Sequence, residues 1–131
     1  MIENFLKVKE YLTELSLPIS QENEADHYFV INDDDNGIQN MAIYVEDPIV
    51  VIEQFLFEIK KPTTEMLIDI LKKNRDIIHG AMVLDGTGQK VLFRDTLQSE
   101  NLDLNELEAS INALSMLLSE YSEQIIAMAK A

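Results

Sequence analysis

The chain has 131 residues, 47% hydrophobic and 26% charged, with 24 Asp and Glu against 10 Lys and Arg for a net charge of −14. That is the composition of one globular domain long enough to build a core, and it argues against nucleic-acid binding, whose phosphate contacts need clustered Lys and Arg. The absence of cysteine excludes disulfides, thiolate metal sites and thiol nucleophiles.

Residues 2–16 form an amphipathic pattern, with Ile2, Phe5, Val8, Leu12 and Leu15 on one stripe and Pro18 as its stop. Charges run throughout this segment and no apolar core interrupts them, so it does not have the form of a secretory signal. No apolar run reaches a membrane-spanning length. The expected location is the cytoplasm, with no membrane partner. A polar connector, 21–26, follows. Three strands are then expected at 27–32, 40–46 and 49–59, the last two joined by a tight turn at Asp47-Pro48. In the third, Ile49, Val51, Phe55, Phe57 and Ile59 share one parity. Val50, Ile52 and Leu56 share the other with Gln54 and Glu58, which marks these three as candidates for contact with a partner.

Pro62 and Thr63 open a helix whose stripe is Met66, Leu67, Ile70 and Leu71. Strands at 77–85 and 89–95 flank a "GTG" turn. Asp103, with Glu106 three residues on, caps a long final helix. There Leu104, Leu107, Ile111, Leu114, Leu118, Tyr121, Ile125 and Met128 recur in steps of three and four. A helix from Leu104 to Lys130 is about 40 Å long, whereas five strands span about 20–25 Å. Its last turns should overshoot the sheet and need other cover. Leu118, Tyr121 and Ile125, with Met66 and Ile70 of the preceding helix, are therefore candidates for a homodimer contact. The expected fold is α+β, a single domain over 1–131 in the order α-β-β-β-α-β-β-α, with a mainly antiparallel sheet packed against helices.

The acidic run "INDDDNGI" (31–38) does not make a calcium loop. With Gly37 at the sixth loop position, Asn32, Asp34 and Asn36 fall at the first, third and fifth, but the twelfth is Ile43, which cannot ligate. Asn36-Gly37 between two strands signals a hairpin turn. The two histidines, His27 and His79, have no companions spaced for a metal or a nucleophile–base pair. "DGTGQK" (85–90) lacks the spacing of a phosphate loop. No catalytic residue, metal ligand or cofactor is expected, and an enzyme is not expected.

The element order resembles the type III secretion chaperones of the CesT/Tir-chaperone type and the related YbjN group of small acidic bacterial proteins. The likeness is densest over 79–114, where Arg94, Leu97, Glu100, Asn101, Leu102, Glu106 and Leu107 lead into the last helix. The resemblance implies a dimeric, acidic, cofactor-free protein that holds an extended or partly unfolded segment of another protein on apolar patches of sheet and helix. No catalytic residue carries over. The uneven charge supports a second reading. Twelve acids and no Lys or Arg lie between Lys9 and Lys60, and seven acids and none between Arg94 and Lys130. Such a surface suits an acidic regulatory module that masks a basic protein partner.

Overall fold

The computed structural model describes residues 2–131. Helix α1 spans Ile2–Glu14 and buries Phe5, Val8 and Leu12, one stripe of the amphipathic pattern. Four strands follow: β1 (Ile19–Asn23), β2 (Tyr28–Asp33), β3 (Ile38–Glu46) and β4 (Ile49–Glu58). Helix α2 (Thr64–Asn74), β5 (Ala81–Leu84), β6 (Lys90–Gln98) and α3 (Leu104–Lys130) complete the chain. The fold is α+β as expected, but with six strands in place of five, in the order β1-β2-β3-β4-β6-β5. Every neighbouring pair is antiparallel.

The extra strand is β1, which overlaps the expected polar connector. Its sequence, ISQEN, is exposed at its three middle residues, so no apolar alternation announces it. Pairing fixes it instead. Its ladder to β2 is supplemented by Ser20 Oγ donating to the Val30 carbonyl at 3.1 Å and Gln21 Nε2 donating to the Tyr28 hydroxyl at 2.8 Å. A polar edge strand also discourages pairing with stray chains.

Cross-strand rows show which face each helix covers. Phe29, Ile43, Ile52 and Asp95 lie opposite one another across β2, β3, β4 and β6. The Phe5 ring of α1 stacks on Phe29 with centroids 4.4 Å apart. Ser110 of α3 donates to Asp95 Oδ2 at 2.6 Å. Both helices therefore sit on this face, and Phe5, Phe29, Ile43, Ile52, Val91 and Phe93 are fully buried beneath them. Each such side chain contributes roughly 1.5–3 kcal/mol by leaving water.

Helix α2 begins as its sequence directs. Thr63 Oγ1 accepts the Met66 backbone N–H at 3.2 Å, and Asp103 caps α3 through the Glu106 N–H at 2.8 Å. α2 closes the β5 end of the sheet. Asn74 accepts the Met82 N–H at 2.8 Å and donates to the Met82 carbonyl at 2.9 Å, pairing that backbone as a further strand would. Strand β5 is shorter than the expected 77–85, because residues 75–80 form a bent connection in which Gly80 has φ 78°.

The final helix is continuous for 27 residues, and the inner side of its last turns is covered from within the chain, while Ile126 on the outer side stays 52% exposed. Ile125 and Met128 are buried, with Met66 and Asp69 of α2 lining the same trough as Met128. The Lys73 ammonium, paired with Asp69 at 2.5 Å, lies 5.3 Å from the Tyr121 ring centroid. Helix α2, beside the β5 edge, supplies the cover that the sheet does not, while the extra strand β1 lies at the opposite edge.

Candidate functional site

The sheet has a second face, and among the described residues no helix lies on it. Its rows follow from the same registers. Tyr28, Tyr44, Val51 and Thr96 make one, and Val30, Ala42, Glu53, Arg94 and Ala81 the next. Phe55, Leu92 and Val83 make the third. Phe55 is 52% exposed, while Tyr28, Val30, Tyr44, Leu92 and Val83 are half-buried. Arg94 Nη1 pairs with Glu53 Oε2 at 2.6 Å in the middle of this surface. That pair separates an apolar patch at the β5 end (Phe55, Leu92, Val83) from an aromatic one at the β2 end. There the Tyr28 and Tyr44 ring centroids are 5.8 Å apart. Apolar patches beside a fixed ion pair can hold alternate side chains of an extended chain and set its register.

This corrects the expected partner contacts. Val50 and Ile52 are fully buried under the helices and Leu56 is half-buried. The cause is a bulge: the β4–β6 register shifts between Phe55 and Phe57, with Leu56 as the extra residue. Phe57 pairs with buried Val91 and faces inward, although by count it shares the parity of Val51 and Phe55. Parity counted across the bulge thus assigns the two faces the wrong way round. Gln54, the polar residue at an inward position, is satisfied by the β2–β3 connection. It donates to the Gly37 carbonyl at 3.1 Å and accepts the Gln39 N–H at 3.1 Å.

The candidate dimer residues are also placed inward. Tyr121, Ile125 and Ile70 are buried within the chain, Met66 is half-buried beside α3, and Leu118 packs where a Cβ on Gly37 would come within 2.6 Å of it. What α2 exposes is its other side. Ile68 and Leu71 are exposed, as is Leu84 of β5. A cavity of about 420 Å³ between α2 and β5 is lined by Leu67, Ile70, Leu71, Met82, Val83 and Leu84. Leu71 stood in the sequence stripe of α2, but periodicity cannot separate a residue facing the core from its neighbour at the rim.

The acidic connection is a single 3-10 turn at Asp34–Asn36 ending on Gly37, with φ 75°. It is docked rather than free. Asn36 Nδ2 donates to Asp33 Oδ2 at 2.7 Å, and Ser115 of α3 donates to the Asn36 carbonyl. No group of three or more His, Asp or Glu side chains is placed to hold a metal among the described residues. His27, at φ 58° in the β1–β2 turn, meets Phe5 edge-on, and His79 lies exposed before β5 rather than within a strand.

Perturbed titrations mark structure rather than chemistry. The Thr87 hydroxyl holds the Asp85 carboxyl below the ordinary aspartate range, and the Asn4 amide does the same for Asp47. Burial pushes the Tyr121 phenol up, aided by Glu120.

No helix is long and apolar enough to cross a membrane among the described residues. No curated protein matches the chain. Solved structures do. YbjN of E. coli superposes with a TM-score of 0.71 at 12% identity, covering 95% of each chain. A chain of the HopA1–SchA chaperone–effector complex gives 0.63 at 12% identity, covering 100% of this chain and 98% of that one. The Yersinia pestis type III secretion chaperone SycH, solved with a stable fragment of YscM2, gives 0.57 at 17% identity over 95% and 98%. At such identities the likeness is one of fold. The CesT_Tir_1 family model, however, matches residues 1–131 in full, and the chain therefore belongs to the CesT_Tir_1 family.

Proposed function

We propose that this chain is a non-enzymatic protein-binding module of the cytoplasm that works as a homodimer. In this reading it holds an extended or partly unfolded segment of a partner protein across its uncovered sheet face. The observation that carries the reading is the two-sided build of the sheet. Helices α1 and α3 bury one face, while the other presents Phe55, Leu92 and Val83 on one side of the Glu53–Arg94 pair and the two tyrosines on the other. Exposed apolar side chains grouped on one surface mark a binding site. The solved chaperone–effector neighbours support a protein as the partner. For the homodimer we assign the outer side of α2 with β5, where Ile68, Leu71 and Leu84 are exposed beside the apolar cavity.

The test is affinity capture from a lysate of the source cells with wild-type and Phe55→Glu protein, washed at low and at high salt and read by mass spectrometry. The expected result is one dominant partner that survives high salt on the wild type and is missing from the variant. Equal recovery on both proteins rejects the sheet face as the site. A partner lost from both at high salt supports instead the acidic module that masks a basic protein, since surface charge attraction is screened.

A further inference from the structure

On the opposite layer from the open sheet face, the 75–80 connection and the outer side of α3 enclose a groove of about 400 Å³, within the range of real binding sites. Its apolar walls are Ile78, 84% exposed, and Met116, 66% exposed, with Ile77 beneath them. Neither residue is exposed through slack in the chain. The connection carrying Ile78 is fixed at one end by Asn74, bonded twice to Met82. At the other end Gly80 lies so close to β6 that an added Cβ would meet the Phe93 ring at 2.7 Å. Met116 stands on a helix whose core positions are already filled by Leu114 and Leu117, and methionine is a side chain suited to varied binding surfaces.

The lining of the groove carries acids and no Lys or Arg, while outside it Arg75 begins the connection and Lys73, 5.3 Å from the Tyr121 ring centroid, is paired with Asp69. Asp76 and Glu120 stand in its lining, and His79 is its one basic-capable neighbour there. Along α3, Glu106, Glu108, Glu120 and Glu123 meet no Lys or Arg before Lys130. A second copy docked at this groove would set its own Asp76 and Glu120 against these same acids across a two-fold contact. We infer that the groove between residues 76–79 and α3 docks a short amphipathic segment of a partner protein, with bulky apolar side chains seated between Ile78 and Met116 and Lys or Arg flanking them. This rests on the reading of the chain as a protein-binding module, and it adds a second contact on the layer that reading leaves unused.

The test uses the full chain with labelled Met methyl groups and a synthetic amphipathic Leu/Lys peptide, with a Leu/Glu peptide of the same pattern as control. NMR should show the Met116 methyl and the Ile78 amide shifting with the Leu/Lys peptide and not with the Leu/Glu peptide. Met116→Lys and Ile78→Lys should each weaken binding about tenfold or more, and Met116→Leu should retain it. Phe55→Glu should leave it unchanged. Equal binding by both peptides, or unchanged binding by the Lys variants, overturns the proposal. So does a Met116 shift that follows protein concentration without peptide, which would mean a second copy covers the groove. Loss of peptide binding in Phe55→Glu alone would place the peptide on the sheet face, overturning the groove while supporting that face. A failure of the sheet-face reading in the capture experiment leaves the groove result standing.

Discussion

A methyl group added at Gly80 would sit 2.7 Å from two atoms of the Phe93 ring and 3.0 Å from the Arg94 carbonyl, on a backbone already at φ 78°. Neither a buried ring nor a strand carbonyl can withdraw as a flexible side-chain end could. Gly80→Ala is expected to lower stability by about 2–4 kcal/mol, combining left-handed strain with overpacking; urea unfolding of the two proteins checks it. At Asp85 the expectation concerns pH. Its Oδ1 accepts from the Thr87 hydroxyl at 2.7 Å and from the Thr87 and Lys90 backbone N–H groups, which lowers its pKa in the folded state. The resulting stabilisation is present above the unfolded value of about 3.9 and is lost as pH falls through the lower folded value. The stability gap between wild type and Asp85→Asn should stay constant near neutrality and shrink on acidification below about pH 4. Unfolding curves at stepped pH measure it, and a gap that persists at the acid end would contradict this account. At this scale the sequence was informative where one side chain acts on its own backbone, as at the Thr63 and Asp103 caps. It failed at Val50 and Ile52, whose facing depends on a bulge in the β4–β6 ladder that no local pattern signals.

Among elements, α3 was legible in extent but not in phase. The three-and-four spacing placed Leu118 on the seam, yet Leu117 is the more deeply buried, at 3%. The reason is that α3 lies across a sheet and against α2, so its covered stripe is wider than a coiled-coil seam and takes in Ser110, Ala113 and Leu117. Leu117→Ala should cost about 2–4 kcal/mol, whereas Met116→Ala, one residue away, should stay within about 0.5 kcal/mol of wild type. Thermal and denaturant melts of the pair test the phase directly, since similar losses would mean the helix is rotated. β1 was invisible for the converse reason. Its polar residues hold their place by backbone pairing and by bonds to β2, which leave no mark in hydrophobic pattern.

For the whole molecule, the inner side of the α3 end is covered by α2, and with that goes the need for a partner copy at Ile125 and Met128. Exposed apolar side chains lie also on the outer side of α2 and on β5, at Ile68, Leu71 and Leu84. Leu71→Glu combined with Leu84→Glu, both exposed, should convert a dimer to a monomer with unchanged circular dichroism, as read by sedimentation velocity. A wild-type chain that sediments as a monomer at high micromolar concentration, or a variant that remains dimeric, would reject that interface. The order of elements was readable because each helix and apolar strand declares itself locally. The choice of open face was not, because it depends on the phase of β4, and that phase has a property of its own. At Leu56 alone, chain length and side-chain facing are uncoupled: the residue is spare in the ladder, so excising it leaves Phe55 opposite Leu92 and Phe57 opposite Val91. Excising Ile52 instead would shift the frame of everything on one side of the cut and exchange buried for exposed residues. Leu56 is thus the point in β4 where the gene can lose a codon and the sheet can keep its two faces.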